Sequence, residues 1–376
     1  MAVRKAHGLA GQWRVTVAAA AFGAWVWPAL TSAQLPTLSP ALPPTQQPAP
    51  RVQHLRIVGG LNGINQYTRH EEPFWTRELP RLSGGQLTAE IVPFDRAGIR
   101  GQEMLRLMKL GVVPFGTALL SLAVTELPEI TAPDLAGLSP DMATLRRVVA
   151  AYRPHLESSL RQHFGVELLA LYAYPAQVMF CNKPFNGLTG LADRRVRVSS
   201  ATQADWVQAL GARPMLVGFA DIMVQMRGGN LDCAITGTMT GNTIGLHTLT
   251  THVHTMAVSW GLAAFGANGA TWASLAPEHQ ALLRRELLRL ERNIWDESER
   301  ETGDGLACNI GAPSCSKGSM GQMTEVRTRP EDEQRRREIF VQTVLPRWVQ
   351  RCGPACADVW NRSIGPAVGI EARGPR

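Results

Sequence analysis

RRVRVSSATQADWVQALGARPMLVGFADIMVQMRGGNLDCAI, residues 194–235, is the stretch that decides the fold. Arg195 to Val198 alternates as a strand does, and a helical segment follows near Gln203 to Leu210. Pro214 to Val217 forms a second short strand, Phe219 to Gly228 returns to helix, and Leu231 to Ile235 is a third apolar run. Strand and helix taking turns at this spacing predict a βαβ-like sheet with helices packed on it.

The same alternation extends outward. Upstream, Leu55, Ile57 and Val58 form a strand-like run, followed by a helix around Glu71 to Leu82, a strand from Leu87 to Pro93, a helix from Gly101 to Leu110 and a strand from Val112 to Leu119. A helix around Met142 to Phe164 then leads into a strand from Val166 to Tyr174. Downstream, Leu283, Leu287, Leu290 and Ile294 recur at spacings of four, three and four, the core stripe of a long helix that begins after Pro277 and ends near Gly303. A charged helix from Glu331 to Trp348 places Phe340, Val344 and Trp348 on one face, which predicts docking on the body of the protein. The expected fold class is α/β.

The ends of the chain have their own composition. Arg4, Lys5 and Arg14 flank an apolar run from Val15 to Leu30, and Thr31, Ser32 and Ala33 follow. That order predicts a secretory signal peptide, residues 1–33, because the run is shorter than the ~20 residues that span a bilayer. Residues 34–53 hold six prolines among small and polar residues, an extended leader with no core to bury. Removing residues 1–33 takes away three cations and no acid, so the formal charge falls from +7 to +4. The basic residues are spread out, which argues against nucleic acid as a partner and suits an anionic small molecule. Export permits disulfides, and among the four C-terminal cysteines the nearest neighbours, Cys308 with Cys315 and Cys352 with Cys356, are the expected pairs, with a zinc site as the rival. Cys181 and Cys233 are expected to be buried free thiols.

Nucleophile-elbow, metalloprotease, phosphate-loop and dinucleotide-loop motifs are missing from the sequence, and its Gly-Gly pairs read as turns, so no catalytic residue, metal ligand or cofactor is expected. What the sequence does carry, in order, is Leu188-Thr189-Gly190-Leu191-Ala192-Asp193-Arg194-Arg195-Val196-Arg197-Val198, then Leu210-Gly211-Ala212-Arg213-Pro214, Phe219-Ala220-Asp221-Ile222 and Gly228-Gly229-Asn230-Leu231-Asp232. This series resembles the substrate-binding proteins of tripartite ATP-independent periplasmic (TRAP) transporters. Ser83-Gly84-Gly85-Gln86-Leu87, the segment from Gly98 to Gly111, and Trp272 with Leu275, Pro277 and Gln280 resemble further motifs of that family, over roughly residues 54 to 300.

The resemblance implies a two-lobed periplasmic-binding-protein fold with mixed sheets, crossing strands and a long hinge helix. Residues 54–175 would form lobe I, 176–259 lobe II and 260–305 the hinge and long helix, partly returning to lobe I. A cysteine-containing extension would occupy 306–376. It further implies a monomer in the periplasm that captures a small organic acid and passes it to TRAP membrane permease subunits. The family's carboxylate-binding arginine falls on Arg197, and a second family arginine is replaced by Gln177. Thr236 takes a position that often contacts ligand. Asn62, Asn65 and Gln66 follow the first strand, where strand ends line the crevice of open α/β lobes. A sensor protein of the same fold, an exported enzyme and a structural envelope protein are the rival readings.

Overall fold

The computed structural model describes residues 52–123 and 126–374. The expected signal peptide, and the expected leader up to residue 51, lie outside them.

Two sheets are present. The first has the order β2-β1-β3-β10-β4 and contains Gln53–Gly59 (β1), Leu87–Pro93 (β2), Phe115–Leu119 (β3), Val166–Ala173 (β4) and Leu262–Asn268 (β10). The second has the order β11-β9-β5-β8-β6-β7 and contains Gln177–Cys181 (β5), Arg195–Val198 (β6), Arg213–Leu216 (β7), Cys233–Gly237 (β8), His252–His254 (β9) and Thr324–Val326 (β11). Both are mixed: β1 runs parallel to β2 and β3, and β6 parallel to β7 and β8, while β10 and β5 run against their neighbours. In β1, Leu55, Ile57 and Gly59 are buried while His54 and Arg56 face out, as period-two alternation requires. β4 is buried on nearly every residue, because helix Met142–Phe164 covers one side and helix Pro277–Ile310 the other.

The chain crosses between sheets three times, at Tyr174–Ala176 on the way out, at Ser259–Gly261 on the way back, and along helix Pro277–Ile310 on the way out again. Leu283, Leu287, Leu290 and Ile294 pack in the first sheet's core. Trp295 Nε1 donates to Leu171 O and Ser298 Oγ to Ala173 O, and beyond them the helix packs on Thr238–Thr243 of the second lobe. It runs through Gly303 to Ile310, longer than the spacing predicts. Gly305 explains why a glycine lies inside it: a Cβ there would sit 2.2 Å from the backbone nitrogen of Met239, so only glycine lets the two helices approach.

The residues after 310 are built into the body. Thr324–Val326 pairs in parallel with β9 at the edge of the second sheet. Phe340, Val344, Trp348 and Trp360 are buried, with the Trp348 and Trp360 rings 6.0 Å apart. Trp348 Nε1 donates to Pro128 O, and Arg347 and Arg351 pair with the buried Asp205 of helix Ala201–Ala209.

Cys308–Cys315 and Cys352–Cys356 are bonded as nearest neighbours. Cys181 and Cys233, expected as free thiols, are also a disulfide. The reason is register: β5 and β8 are antiparallel, and Cys181 lies directly opposite Cys233 with a Cα separation of 4.1 Å. Without β5 read as a strand, that opposition was invisible in the sequence.

Candidate functional site

The parallel run of β6, β7 and β8 brings their C-terminal ends to one edge of the second sheet. Arg197 sits one residue from the end of β6, and its side chain reaches over both neighbours. Nε donates to Val217 O at 2.9 Å and Nη1 to Ile235 O at 2.7 Å. It is 4% exposed and forms no ion pair with any described residue. Burial with no acid beside it pushes the guanidinium down to about 10. Its neighbours are settled differently: Arg195 is held in a fork by Asp232, and Arg194 lies at the surface on the carbonyls of Lys183 and Pro184. Of these three arginines of the motif, Arg197 alone is buried.

Thr236 follows Ile235 on β8; it is buried, and its hydroxyl makes no hydrogen bond with a described residue. Gln177 opens β5 opposite Gly237. Its Oε1 accepts from Gln203 Nε2 at 2.9 Å, and the same nitrogen donates to Ser259 Oγ at 2.8 Å. Gln203 Oε1 accepts from Ser199 N at 2.8 Å, so this chain of amides fastens both crossing segments to the end of β6. Gly261 has φ +82°, and a Cβ there would meet Gln177 Nε2 at 2.6 Å, so the returning strand can pass only as glycine.

On the lobe I side, Asn65 and Gln66 do not lie in an open loop. The helical run begins at Gln66, five residues before the expected start. Gln66 Nε2 donates to Glu71 Oε1 at 2.9 Å, while Glu71 Oε2 accepts from Gly60 N and Thr117 Oγ1. Burial raises the Glu71 carboxyl against the pull of those three donors. Gln66 Oε1 and the Tyr174 hydroxyl are buried and meet no hydrogen-bond geometry with any described residue. Asn65 Nδ2 donates to Glu301 Oε1 of the long helix at 2.5 Å, and Asn62 is tied through its backbone N–H to Asp95. Tyr174 connects the halves: a Cβ on Gly60 would meet its hydroxyl, and one on Gly261 would meet its ring. Gln66 and Gln177 therefore both lie close to Tyr174, whereas Asn62 and Asn65 are tied to Asp95 and the long helix.

Glu71, Asp134, Tyr174, Gln203 and Ser259, which the fold gathers around the crossing segments, were not singled out in the sequence. Four of them lie outside the motifs around Arg197, and Gln203 looked like an ordinary polar residue of the helix that Ser200 caps. Asp134 Oδ1 accepts from Trp260 N at 2.9 Å and Oδ2 from Gly261 N at 2.7 Å, and it faces a cavity shared with Leu120, Ser121, Ser200 and Thr202. That cavity encloses about 10 Å³, room for about one water. Burial pushes the Asp134 carboxyl up to about 6, opposed by the two N–H donors.

A carboxyl whose folded pKa lies above its unfolded value holds its proton longer in the folded chain. Stability from Asp134 is therefore full below pH ~4, falls as pH rises to about 6, and levels off above. Two pKa units correspond to about 3 kcal/mol. Asp134→Asn is expected to remove up to that much of the fall between pH 4 and 7, read as urea midpoints along a pH series. A series with the same slope in the variant would assign the titration to another group.

Among the described residues, no helix is long and apolar enough to cross a membrane. The sequence profile of the bacterial extracellular solute-binding protein family 7 (DctP) matches residues 67–307. No curated protein matches the chain. Among solved structures, an extracytoplasmic solute receptor of Bordetella pertussis binding pyroglutamic acid is 19% identical, with a TM-score of 0.71 over 83% of this chain and 99% of that one. A TRAP periplasmic solute-binding protein from Desulfovibrio salexigens with bound orotic acid is 15% identical, with a TM-score of 0.73 over 84% and 98%. Another, from Haemophilus influenzae with bound L-gulonate, is 14% identical, with a TM-score of 0.69 over 84% and 99%. At these identities the structures speak for the fold.

Proposed function

The chain belongs to family 7 of the bacterial extracellular solute-binding proteins, the TRAP-transporter solute-binding proteins, and from that premise we propose that it captures a small monocarboxylate between its lobes and delivers it to a TRAP membrane permease. The observation that carries the reading is the Arg197 guanidinium, buried at the C-terminal edge of a sheet with two carbonyls and no acid beside it. A buried cation is costly unless an anion completes it, and a guanidinium matches a carboxylate in shape and charge. Thr236 and the Gln177–Gln203–Ser259 chain offer uncharged polar atoms to the rest of the ligand.

The charge balance narrows the class. Arg197 is the one buried guanidinium at this sheet edge among the described residues, and Gln177 stands where the resemblance would put a second arginine. A second carboxylate on the ligand would find no second guanidinium at Gln177 to pair with. Pyroglutamic acid, orotic acid and L-gulonate, bound by the similar structures, each carry one carboxyl group on a polar body, which supports the same reading. Capture would take place in the periplasm after export by the expected signal peptide, with no chemistry performed on the ligand.

Thermal unfolding of the mature chain against a panel of mono- and dicarboxylates, keto acids, sugar acids and amino acids tests this. An acid at ~100 times its Kd stabilises by about 2.7 kcal/mol. A monocarboxylate giving the largest rise in Tm is the expected outcome. A dicarboxylate ahead of every monoacid would overturn the class, and no response to any acid would overturn the reading.

A further inference from the structure

A second concavity lies beside the hinge, away from Arg197. It encloses about 230 Å³. Its floor is apolar, made by Leu138, Phe340, Val368 and Ile370, and its rim carries three guanidinium groups, from Arg147, Arg336 and Arg337. No acidic side chain lines it. Arg336 is accounted for: it is buried, pairs with Glu333 and donates to Gly137 O. Arg147 and Arg337 form no ion pair with any described residue; Arg147 donates only to the Thr144 hydroxyl. Two arginines with no ion pair among the described residues line a concavity with apolar residues, an arrangement that favours an anion with an apolar body over either water or an inorganic ion. The volume equals that of about eight waters in the liquid, the scale of one small ring or branched chain.

The position gives such an occupant leverage. Gly137 N donates to Val258 O, and Trp260 Nε1 donates to Ser139 O, so one wall of the concavity is bonded to the returning crossing segment. Arg147 stands on helix Met142–Phe164, which covers the first sheet. Arg336 and Arg337 stand on helix Pro330–Ile339, whose Asp332 accepts from Leu188 N of the second lobe. We propose that this concavity is a second binding site, for a small amphipathic monoanion such as an aromatic or branched-chain acid, bridging groups fastened to the two lobes.

Benzoate serves as the probe, with acetate and phosphate as controls, titrated calorimetrically into the mature Arg197→Ala chain so that the cleft's own cation is gone. The expected result is saturable benzoate binding, weakened at least tenfold by Arg147→Ser with Arg337→Ser, and at least tenfold weaker binding of acetate and phosphate. Both arginines are exposed, so the unliganded Tm of the double variant should match that of its parent. If Arg197→Ala does not fold, the same pair of substitutions is made in the wild-type chain, where loss of one of two saturable events reads the same site. Absence of saturable benzoate binding with both arginines present overturns the proposal, as does binding indifferent to their removal. Acetate or phosphate equalling benzoate would overturn the amphipathic class, since the apolar floor would then contribute nothing.

Discussion

Arg197→Ala is expected to weaken binding of the preferred acid by about 2–5 kcal/mol, from about thirtyfold to a few thousandfold, because truncating one side of a buried, hydrogen-bonded charge pair leaves the other charge uncompensated. The unliganded chain should respond far less. Its guanidinium is disfavoured by burial, and the drop from its ordinary value to about 10 corresponds to a penalty of order 3 kcal/mol that the substitution relieves. Against that, the carbonyls of Val217 and Ile235 lose their donors. Because the folded pKa is the lower of the two, the penalty is constant below pH ~10 and is relieved only above it, so the comparison does not depend on pH between 5 and 8. Arg197→Lys keeps a point charge but loses the planar fork, and should fall between wild type and alanine. Kd values and unliganded melting temperatures together check this. A variant that binds its acid as tightly as the parent would move the anchor away from Arg197.

Joint replacement of Cys181 and Cys233 by alanine is expected to destabilise the chain by about 4 kcal/mol, against about 2 kcal/mol for the Cys308 and Cys315 pair. The first bond closes 52 residues and the second seven, and the loop-closure entropy that a crosslink removes from the unfolded chain grows with the logarithm of that number. Cys181 and Cys233 are fully buried, so a reductant reaches them only when the strands open, and paired substitution is the cleaner measurement. Denaturant midpoints of the two double variants should rank in that order. Equal losses, or a loss under 1 kcal/mol for the 52-residue loop, would mean that the unfolded chain is already held together by other contacts.

The elements legible in the sequence were those with a strong period and clear ends. Helix Met142–Phe164 starts after Asp141, whose carboxylate accepts from Thr144 N, and stops at Gly165 with φ +60°, both readable signals. Strand Arg195–Val198 was equally clear, although alternation puts Arg195 and Arg197 on one face and does not say which of them is buried. β10 was not: its residues LAAFGAN are poor strand formers, and it exists because β3 and β4 hold it from either side. β9 and β11 have three residues each, too short for any period to register. The end of the long helix was misplaced because Gly303 looked like a stop, whereas tertiary packing carries the helix on to Gly311. The same limit applies to the cleft. Arg197 came from a local motif, while Asp134, Gln203 and Ser259 are brought together only by the crossing segments, which leave no local trace.

The strand order has a consequence for how the chain comes into being. β4 lies at the edge of the first sheet and bonds only to β10, and β10 is the sole link between β4 and β3. About ninety residues separate the end of β4 from the start of β10, so a growing polypeptide cannot close its first sheet until well after residue 262 has been made. The second sheet waits longer still, for the edge strand at 324–326. Were the chain exported as proposed, it would have to remain threadable while it is carried across the membrane, and this topology withholds the finishing strands of both sheets until late in synthesis.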